Sequence, residues 1–338
     1  MKDMLAKCII RSDGSVQPFH ELQTSTCTAV VGTNCRVDLP LLFAYAPITD
    51  YKPRKKRRGR KKRNTTEKPA PKMPLGSVIK IQHESNIRGY TESSSSTTNR
   101  AATGGEGAAG DTSDTEIKEE QFKSNRKNYF LHCVSLKIFV DERDENPHKS
   151  VKVYRNGKLH ITGCKNIDQL QLTVRLVFDL FLQIETYIGQ PIVFCSDPTF
   201  RAVFDIVMQN IDFYIGFSIS RHKLDAYIRE HTDYISMFDS AQCSHDNIKI
   251  PNEDREDMLS CMEYNRETRT IVKSTVHRDT VAHYFNQKNT TKPKEHTFLV
   301  FATGMIIFIS APGKSRAEVF YKMIKLLIEN RAHFEERS

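Results

Sequence analysis

The densest chemistry in this chain is cationic. Lys52, Arg54, Lys55, Lys56, Arg57, Arg58, Arg60, Lys61, Lys62 and Arg63 set ten positive charges in twelve residues with no acid among them. Such a run attracts phosphate. It reads as a phosphate-binding arm, a nuclear import signal, or both, and the plain alternative is a solvated linker. The 338 residues hold 50 Lys and Arg against 41 Asp and Glu, a net charge of +9. Outside the run, 40 basic residues meet 41 acidic ones, so the remainder is close to neutral. An arm that neutralised ~4–5 phosphates would steepen the log–log salt dependence of binding by roughly 4. It would position a nucleic acid without reading its sequence.

Other reactive residue types do not assemble. Asp141, Glu142, Asp144 and Glu145 are dense, but they lie in a charged turn and read as solvated charge. Cys243 and His245 have no second pair at zinc-finger spacing, so no metal is expected. The eight cysteines form no C-x-x-C pair, which points to reduced thiols in an intracellular protein. No paired carboxylates, Gly-rich phosphate loop or nucleophile elbow is evident, so neither an enzyme nor a cofactor is expected. No run of 18 apolar residues is long enough to span a membrane, and the N-terminus is too polar for a secretory signal.

The elements that would carry a binding surface are two hairpin-then-helix units. In the first, Val151 and Val153 alternate with Lys152 and Tyr154, then Leu159 and Ile161 with His160 and Thr162. Both apolar pairs share a face only if an odd number of residues connects the strands. That favours a three-residue loop, Arg155-Asn156-Gly157, with Gly157 left-handed. Asn166 then caps a helix, with Gln169 closing a capping box and Leu170, Val174, Val177, Phe178 and Phe181 as its apolar stripe. Gly189 and Pro191 stop it. The second unit runs from Thr297 to Arg331. Its two strands flank Gly304, Ser315 caps with Glu318 three residues on, and Phe320, Ile324 and Leu327 form the stripe. Two such units suggest two halves of one pseudo-symmetric domain.

At VKVYRNGKLHITGCK, VMQNIDFYIGFSIS and FLVFATGMIIFIS the chain resembles the TATA-box-binding protein family, in particular the divergent members found in large DNA viruses. The resemblance spans roughly residues 20 to 335, with insertions. It implies an α+β, pseudo-symmetric saddle: a curved antiparallel sheet with helices on its convex face. The first half would begin in residues 1–50, be interrupted by a basic and low-complexity disordered insertion over 51–125, and resume over 126–195. The second half would fill 196–338. Each half should open strand-then-helix. These are Thr26–Gly32 followed by a helix over Leu39–Tyr45 capped by Asp38, and Ile206–Ile219 followed by a helix capped by Ser220. Residues 76–89 would give one or two strands, 130–140 another, and 268–276 the strand before the final hairpin. Residues 240–267 and 280–295 would be loop excursions.

By parity, Lys152, Tyr154, His160 and Thr162 point away from the helices, as do Leu299, Phe301, Ile307 and Ile309. Apolar residues on an uncovered strand surface need a partner. From the residues alone, a second packing layer or a contact with another copy accounts for this surface as well as a ligand does. The resemblance implies double-stranded promoter DNA, held in its minor groove. Apolar side chains suit a groove floor with few donors, and aromatics wedge between base steps. Tyr154 and Phe301 then fall on wedge positions, Leu299 and Ile307 on the groove floor, and Asn210 on a base-reading amide. Thr162 matches the threonine of the family's Thr-Gly, which Ile309-Ser310 replaces in the second half. Lys152 and His160 stand where the family is apolar. The first-half counterpart of Asn210 is Thr24 or Thr26, and its second wedge is Phe130 or Leu131. The resemblance also implies other initiation factors or a viral RNA polymerase as partners, no membrane, and the host nucleus or a cytoplasmic viral factory as the place of action. A protein-binding scaffold with the same saddle is the competing expectation.

Overall fold

The computed structural model describes residues 8–51, 73–90 and 132–336, apart from 145, 196, 240–242, 253 and 286–293. The cationic run 52–63, the stretch 91–120, Glu145, Phe130 and Leu131 lie outside the described residues.

Two long strands form the centre of the sheet. β1 (Thr24–Thr33) and β9 (Thr199–Tyr214) pair antiparallel, with Thr28 opposite Met208. β1 is rich in β-branched residues and β9 in β-branched and aromatic ones, which suits a pleated surface. Around them the order is symmetric. On one side of β1 follow β7 (Leu159–Cys164), β6 (His148–Tyr154), β5 (Cys133–Phe139), β3 (Val78–His83) and β4 (Asn86–Gly89). On the other side of β9 follow β15 (Met305–Ser310), β14 (Lys294–Phe301), β11 (His245–Asn252) and β10 (Ile235–Met237). All these pairings are antiparallel. Helices recur at matching points. α1 (Leu39–Tyr45) and α3 (Arg221–His231) follow the central strands, while α2 (Ile167–Ile188) and α4 (Arg316–Glu329) follow the hairpins. A terminal turn, α5, covers Arg331–Phe334.

The helices bury their stripes against one sheet face. Val174, Val177, Phe178 and Phe181 of α2 share a core with Val151, Val153, Leu159 and Ile161. Phe320, Ile324 and Leu327 of α4 do the same with Phe298, Val300, Ile306 and Phe308. Each fully buried side chain of this kind contributes about 1.5–3 kcal/mol. The two cores are separate clusters, the first of which also takes in Phe200, Phe204 and Tyr264 from the second half. The expected α+β saddle, a curved antiparallel sheet with helices on the convex face, is the observed architecture.

Local geometry agrees with the sequence in the turns and departs from it in the caps. Tyr154 donates its backbone N–H to Lys158 O, leaving three residues in the loop, and Gly157 has φ 78°. The Phe301–Met305 turn repeats this with Gly304 at φ 80°. Asp38 Oδ1 accepts from Leu41 N at 3.0 Å, and Asn166 Oδ1 from Gln169 N at 2.9 Å. Gln169 reaches back one residue further than a capping box requires, to Lys165 N at 2.8 Å. Ser220 and Ser315 make no side-chain cap. Ser315 instead faces buried His296, and Glu318 pairs with Lys322.

Three expectations are corrected. Residues 51–125 are not one unbroken insertion, because β3 and β4 occupy 78–89 within them. Residues 240–267 are not a loop, for they contain β11 and β12 (Met258–Asn265). Residues 268–276 do not precede the final hairpin in the sheet. They form most of β13 (Ile271–His277), which pairs with β12, while β11 is the strand beside β14. Strong β-branched composition identified the strand, but composition does not choose its neighbour.

Candidate nucleic-acid interface

The face opposite the helices carries the outward residues in transverse rows. In the first half, Gln82, Ser135, Lys152, His160 and Val30 stand in register across β3, β5, β6, β7 and β1. In the second, Met237, Asn247, Leu299, Ile307 and Asp212 stand in register across β10, β11, β14, β15 and β9. The next row of the second half holds Ile235, Lys249, Thr297, Ile309 and Asn210. Leu299, Phe301, Ile307 and Ile309 are all partly exposed, as are Lys152, Tyr154, His160 and Thr162. No helix or loop of the described residues buries them.

Register fixes the counterpart of Asn210. Asn210 faces Ile309, and Thr28 faces Thr162 in the same way, so the first-half equivalent is Thr28 rather than Thr24 or Thr26. A bulge lets β1 slip against β7 between Cys27 and Thr28, and sequence spacing cannot place a bulge. Among the described residues, the buried Oδ1 of Asn210 meets no hydrogen-bond partner, and the same holds for Oδ1 of Asn247. Neither amide oxygen is tied to its own backbone. A buried polar atom without a partner costs free energy, which a ligand donor would recover. Sequence patterning does not reveal Asn247, because the polar stretch that forms β11 reads as a loop.

The two wedge candidates occupy equivalent places. Tyr154 ends β6 opposite Cys133, and Phe301 ends β14 opposite His245. The Phe301 ring lies 5.4 Å from that of His245. Burial, with the Cys133 thiol beside it, pushes the Tyr154 phenol above its usual range. Burial and the adjacent Lys152 charge hold His160 below the usual imidazole range, favouring its neutral form.

One part of this face is covered. β12 extends the sheet by pairing with the start of β9, and β13 pairs with β12. The chain then crosses back as a 3-10 helix over Arg278–Tyr284. Val203, Leu259, Cys261 and Val281 form a small third core there, with Val276, Tyr284 and Phe285 against it. Gly32, which faces Val203, has room for no side chain beneath Tyr284. Arg278 binds Asp205, the residue opposite Val30. The roof thus lies over Gly32 and Val203 and reaches Asp205, beside Val30 at the β1 end of the first-half row. It departs from a face left wholly bare.

The acidic turn also departs from expectation. Asp144 is buried, and its oxygens take Lys149 Nζ at 2.6 Å and Lys165 Nζ at 3.1 Å. It is a structural ion pair and no part of the concave surface. Among the described residues no group of three or more His, Cys, Asp or Glu is placed to hold a metal ion.

A two-fold repeated antiparallel sheet with helices on one face matches a TATA-box-binding-protein-like saddle. No family model matches the chain. Sequence comparison finds it similar to a protein named TATA-box-binding protein-like from Acanthamoeba polyphaga mimivirus, at 26% identity over 113 residues. That match takes in 32% of this chain and 30% of the relative, so under a third of the relative's length is matched. Among solved structures, the chain is similar to the TBP of Methanococcus jannaschii, with a TM-score of 0.41 and 9% identity over 91% of this chain and 99% of that one. The sequence likeness and the strand order together support a TATA-box-binding-protein-like family for this chain.

Proposed function

We propose that this chain is a transcription-initiation factor of a large DNA virus that binds promoter DNA in the minor groove through its concave face. It acts by binding and not by catalysis, and it presents its convex helices to other initiation proteins or a viral polymerase. Its place of action would be the host nucleus or a cytoplasmic viral factory. The observation that carries this reading is the second-half surface: Leu299, Ile307 and Ile309 lie unroofed, with Asn210 in register beside Ile309. Apolar groups fit the donor-poor floor of an A·T-rich minor groove, and an amide donates to its adenine and thymine acceptors. Phe301 and Tyr154, at the strand ends, suit insertion between base steps. The test is footprinting on A·T-rich promoter fragments with wild type, Phe301→Ala and Asn210→Ala. Weaker protection by both variants is expected, and equal protection by all three removes the groove reading.

A protein-binding scaffold is the second reading. Lys152 and His160 favour it, since a lysine does not suit a groove floor, and so does the roof over Val203. Deleting residues 52–63 separates the two. If all DNA affinity goes with the cationic run, the sheet is not a DNA surface.

A further inference from the structure

Two short strands off the main sheet bring two cysteines together. β2 (Cys35–Val37) pairs antiparallel with β8 (Val193–Cys195), and Cys35 stands directly opposite Cys195. The hydrogen-bonding phase sets how close they come. Asp38 donates its backbone N–H to Ile192 O at 2.8 Å, so the bonds between these strands fall on that pair and on alternate pairs from it. Val37 and Val193 lie in the other phase, and their N–H groups go instead to Arg155 O and Glu185 Oε1. Cys35 and Cys195 share that phase, in which facing side chains are nearest. The Cα atoms of such a pair lie about 4.5 Å apart, within the span of about 4.4–6.8 Å that a disulfide bridges. Both side chains meet the first core, Cys35 buried and Cys195 half-buried. A second opposed pair, Cys27 and Cys164 on β1 and β7, gives the contrast. Both of those are fully buried, and burial raises both thiols. Cys195 behaves differently. The hydrogen bond it takes from the Cys35 thiol lowers it, and the Arg266 charge adds to this against the effect of burial. The same bond, then burial, raises Cys35, whose sulfur also lies 3.2 Å from Asn34 Oδ1. Cys195 is therefore the better nucleophile, because the thiolate is the reactive form.

We infer that Cys35 and Cys195 are a modification site, joined reversibly by exchange with a small disulfide, and that the bond locks the support of the loop beside Tyr154. The Cys195 thiolate attacks one sulfur of the small disulfide, forming a mixed disulfide and releasing a thiolate. Cys35, on losing its proton, attacks the Cys195 sulfur, and a second small thiolate leaves. The protein pair loses two electrons, the small disulfide gains them, and the two protein protons end on the two small thiols. The β2 side of the bond carries the loop. Val37 N donates to Arg155 O at 3.0 Å, and Thr33 Oγ1 donates to Gly157 O at 2.9 Å. The β8 side is tied to α2, since Ile192 N and Val193 N both donate to Glu185 Oε1 at 3.0 Å. A covalent link between the strands thus fixes the loop to the long helix. Neither the exchange nor the locking depends on DNA binding.

The experiment equilibrates the full chain with oxidised and reduced glutathione at graded ratios, quenches with acid, alkylates the remaining thiols and maps the peptides by mass spectrometry. The first product as the ratio rises should be a peptide linking Cys35 to Cys195, with Cys27 and Cys164 still free. Cys35→Ser should hold one glutathione on Cys195, whereas Cys195→Ser should take none on Cys35, which is the order that attack by Cys195 requires. The linked chain should melt about 5 °C or more above the reduced one, because the bond closes a long loop of chain, and dithiothreitol should reverse the gain. Amide exchange over residues 154–158 should slow by about tenfold or more on linking. Absence of the 35–195 link at the most oxidising ratio overturns the site, and so does a Cys27–Cys164 link that forms first. A linked chain whose loop exchanges at the reduced rate overturns the locking. If neither serine variant folds, the wild-type map and its melting difference decide the matter alone.

Discussion

Arg278 grips Asp205 with two parallel bonds, Nη1 to Oδ2 at 2.9 Å and Nη2 to Oδ1 at 3.0 Å. The relationship matters because it joins an inserted segment to a central strand. Asp205 faces Val30 in the middle of the sheet, and Arg278 begins the 3-10 turn that roofs Val203 and Gly32. Both side chains are mostly buried, so removing one leaves the other charge uncompensated. Arg278→Ala should therefore destabilise the chain by about 2–4 kcal/mol. Lys in its place keeps the charge but loses the planar fork, and should fall between. Thermal melting gives the magnitude, and limited proteolysis near 278–285 gives the location. A wild-type melting temperature for Arg278→Ala would mean the turn is held by Val281 and Tyr284 alone.

The Asp144–Lys149 pair offers a sharper case. Lys149 is fully buried and Asp144 nearly so, at side-chain exposures of 0% and 1%. Burial by itself would raise the Asp144 carboxyl. Hydrogen bonds from Lys149, Lys165 and the Asn146 backbone outweigh it and hold the group well below the usual carboxylate range. Asp144→Asn should cost about 3–5 kcal/mol, because it strands a buried ammonium. Replacing both partners by apolar residues, Asp144→Leu with Lys149→Met, should cost less than either single change. The pH dependence follows from the depressed value. The contribution is present in full above the unfolded carboxyl's pKa of about 3.9 and is lost as pH falls below it. Melting curves from pH 5 to 2 should show a steeper decline in wild type than in the double variant.

His296 gives a second pH response at a higher range. Its ring is fully buried, with Nδ1 2.7 Å from Ser310 Oγ. Burial, then the nearby Arg316 charge, lowers its pKa from 6.5 to about 4. The unfolded chain therefore binds more protons than the folded one between those values. Stability is complete above about pH 6.5 and falls as pH drops towards 4, by up to about 3 kcal/mol. His296→Gln should melt lower at pH 8 but lose less between pH 7 and 5. Parallel wild-type and variant slopes in that window would assign the response to another group, His148 being the obvious one, since burial and the charges of Lys137 and Lys149 lower it in the same way.

The parts legible in the sequence are those governed by neighbours in the chain. The α1 helix over Leu39–Tyr45 with its Asp38 cap, the Gly157 loop and the stripe of α2 all follow from local patterning. The outward parity of Leu299, Phe301 and Ile307 followed too, since alternation needs only one residue of context. What depended on distant partners was not legible. The β12–β13 hairpin has strand-like composition, but nothing in it states that it will pair with the start of β9. Asn247 and His245 were hidden because a polar strand in a polar stretch of sequence looks like a loop. Thr28 could not be matched to Asn210 without the bulges in β1. Ser315 has the right neighbours for a cap, yet buried His296 takes its hydroxyl.

The Gly157 loop allows local and tertiary demands to be told apart. Gly157 needs a positive φ, and a side chain there would also strike the Cys35 carbonyl and Thr33 Oγ1. Gly189, at the end of α2, has φ 70° but open space around it. Asparagine tolerates the left-handed conformation better than alanine does. At Gly189, alanine should cost about 1 kcal/mol and asparagine less. At Gly157, both should cost at least about 2 kcal/mol, because the collision does not depend on φ. The damage should also reach function. The loop fixes the end of β6, where Tyr154 stands, so a Gly157 variant that still folds should lose DNA affinity as Tyr154→Ala does. If Gly157→Asn melts and binds like wild type, the backbone at Cys35 yields to the loop, and the position of Tyr154 is set by β5 alone.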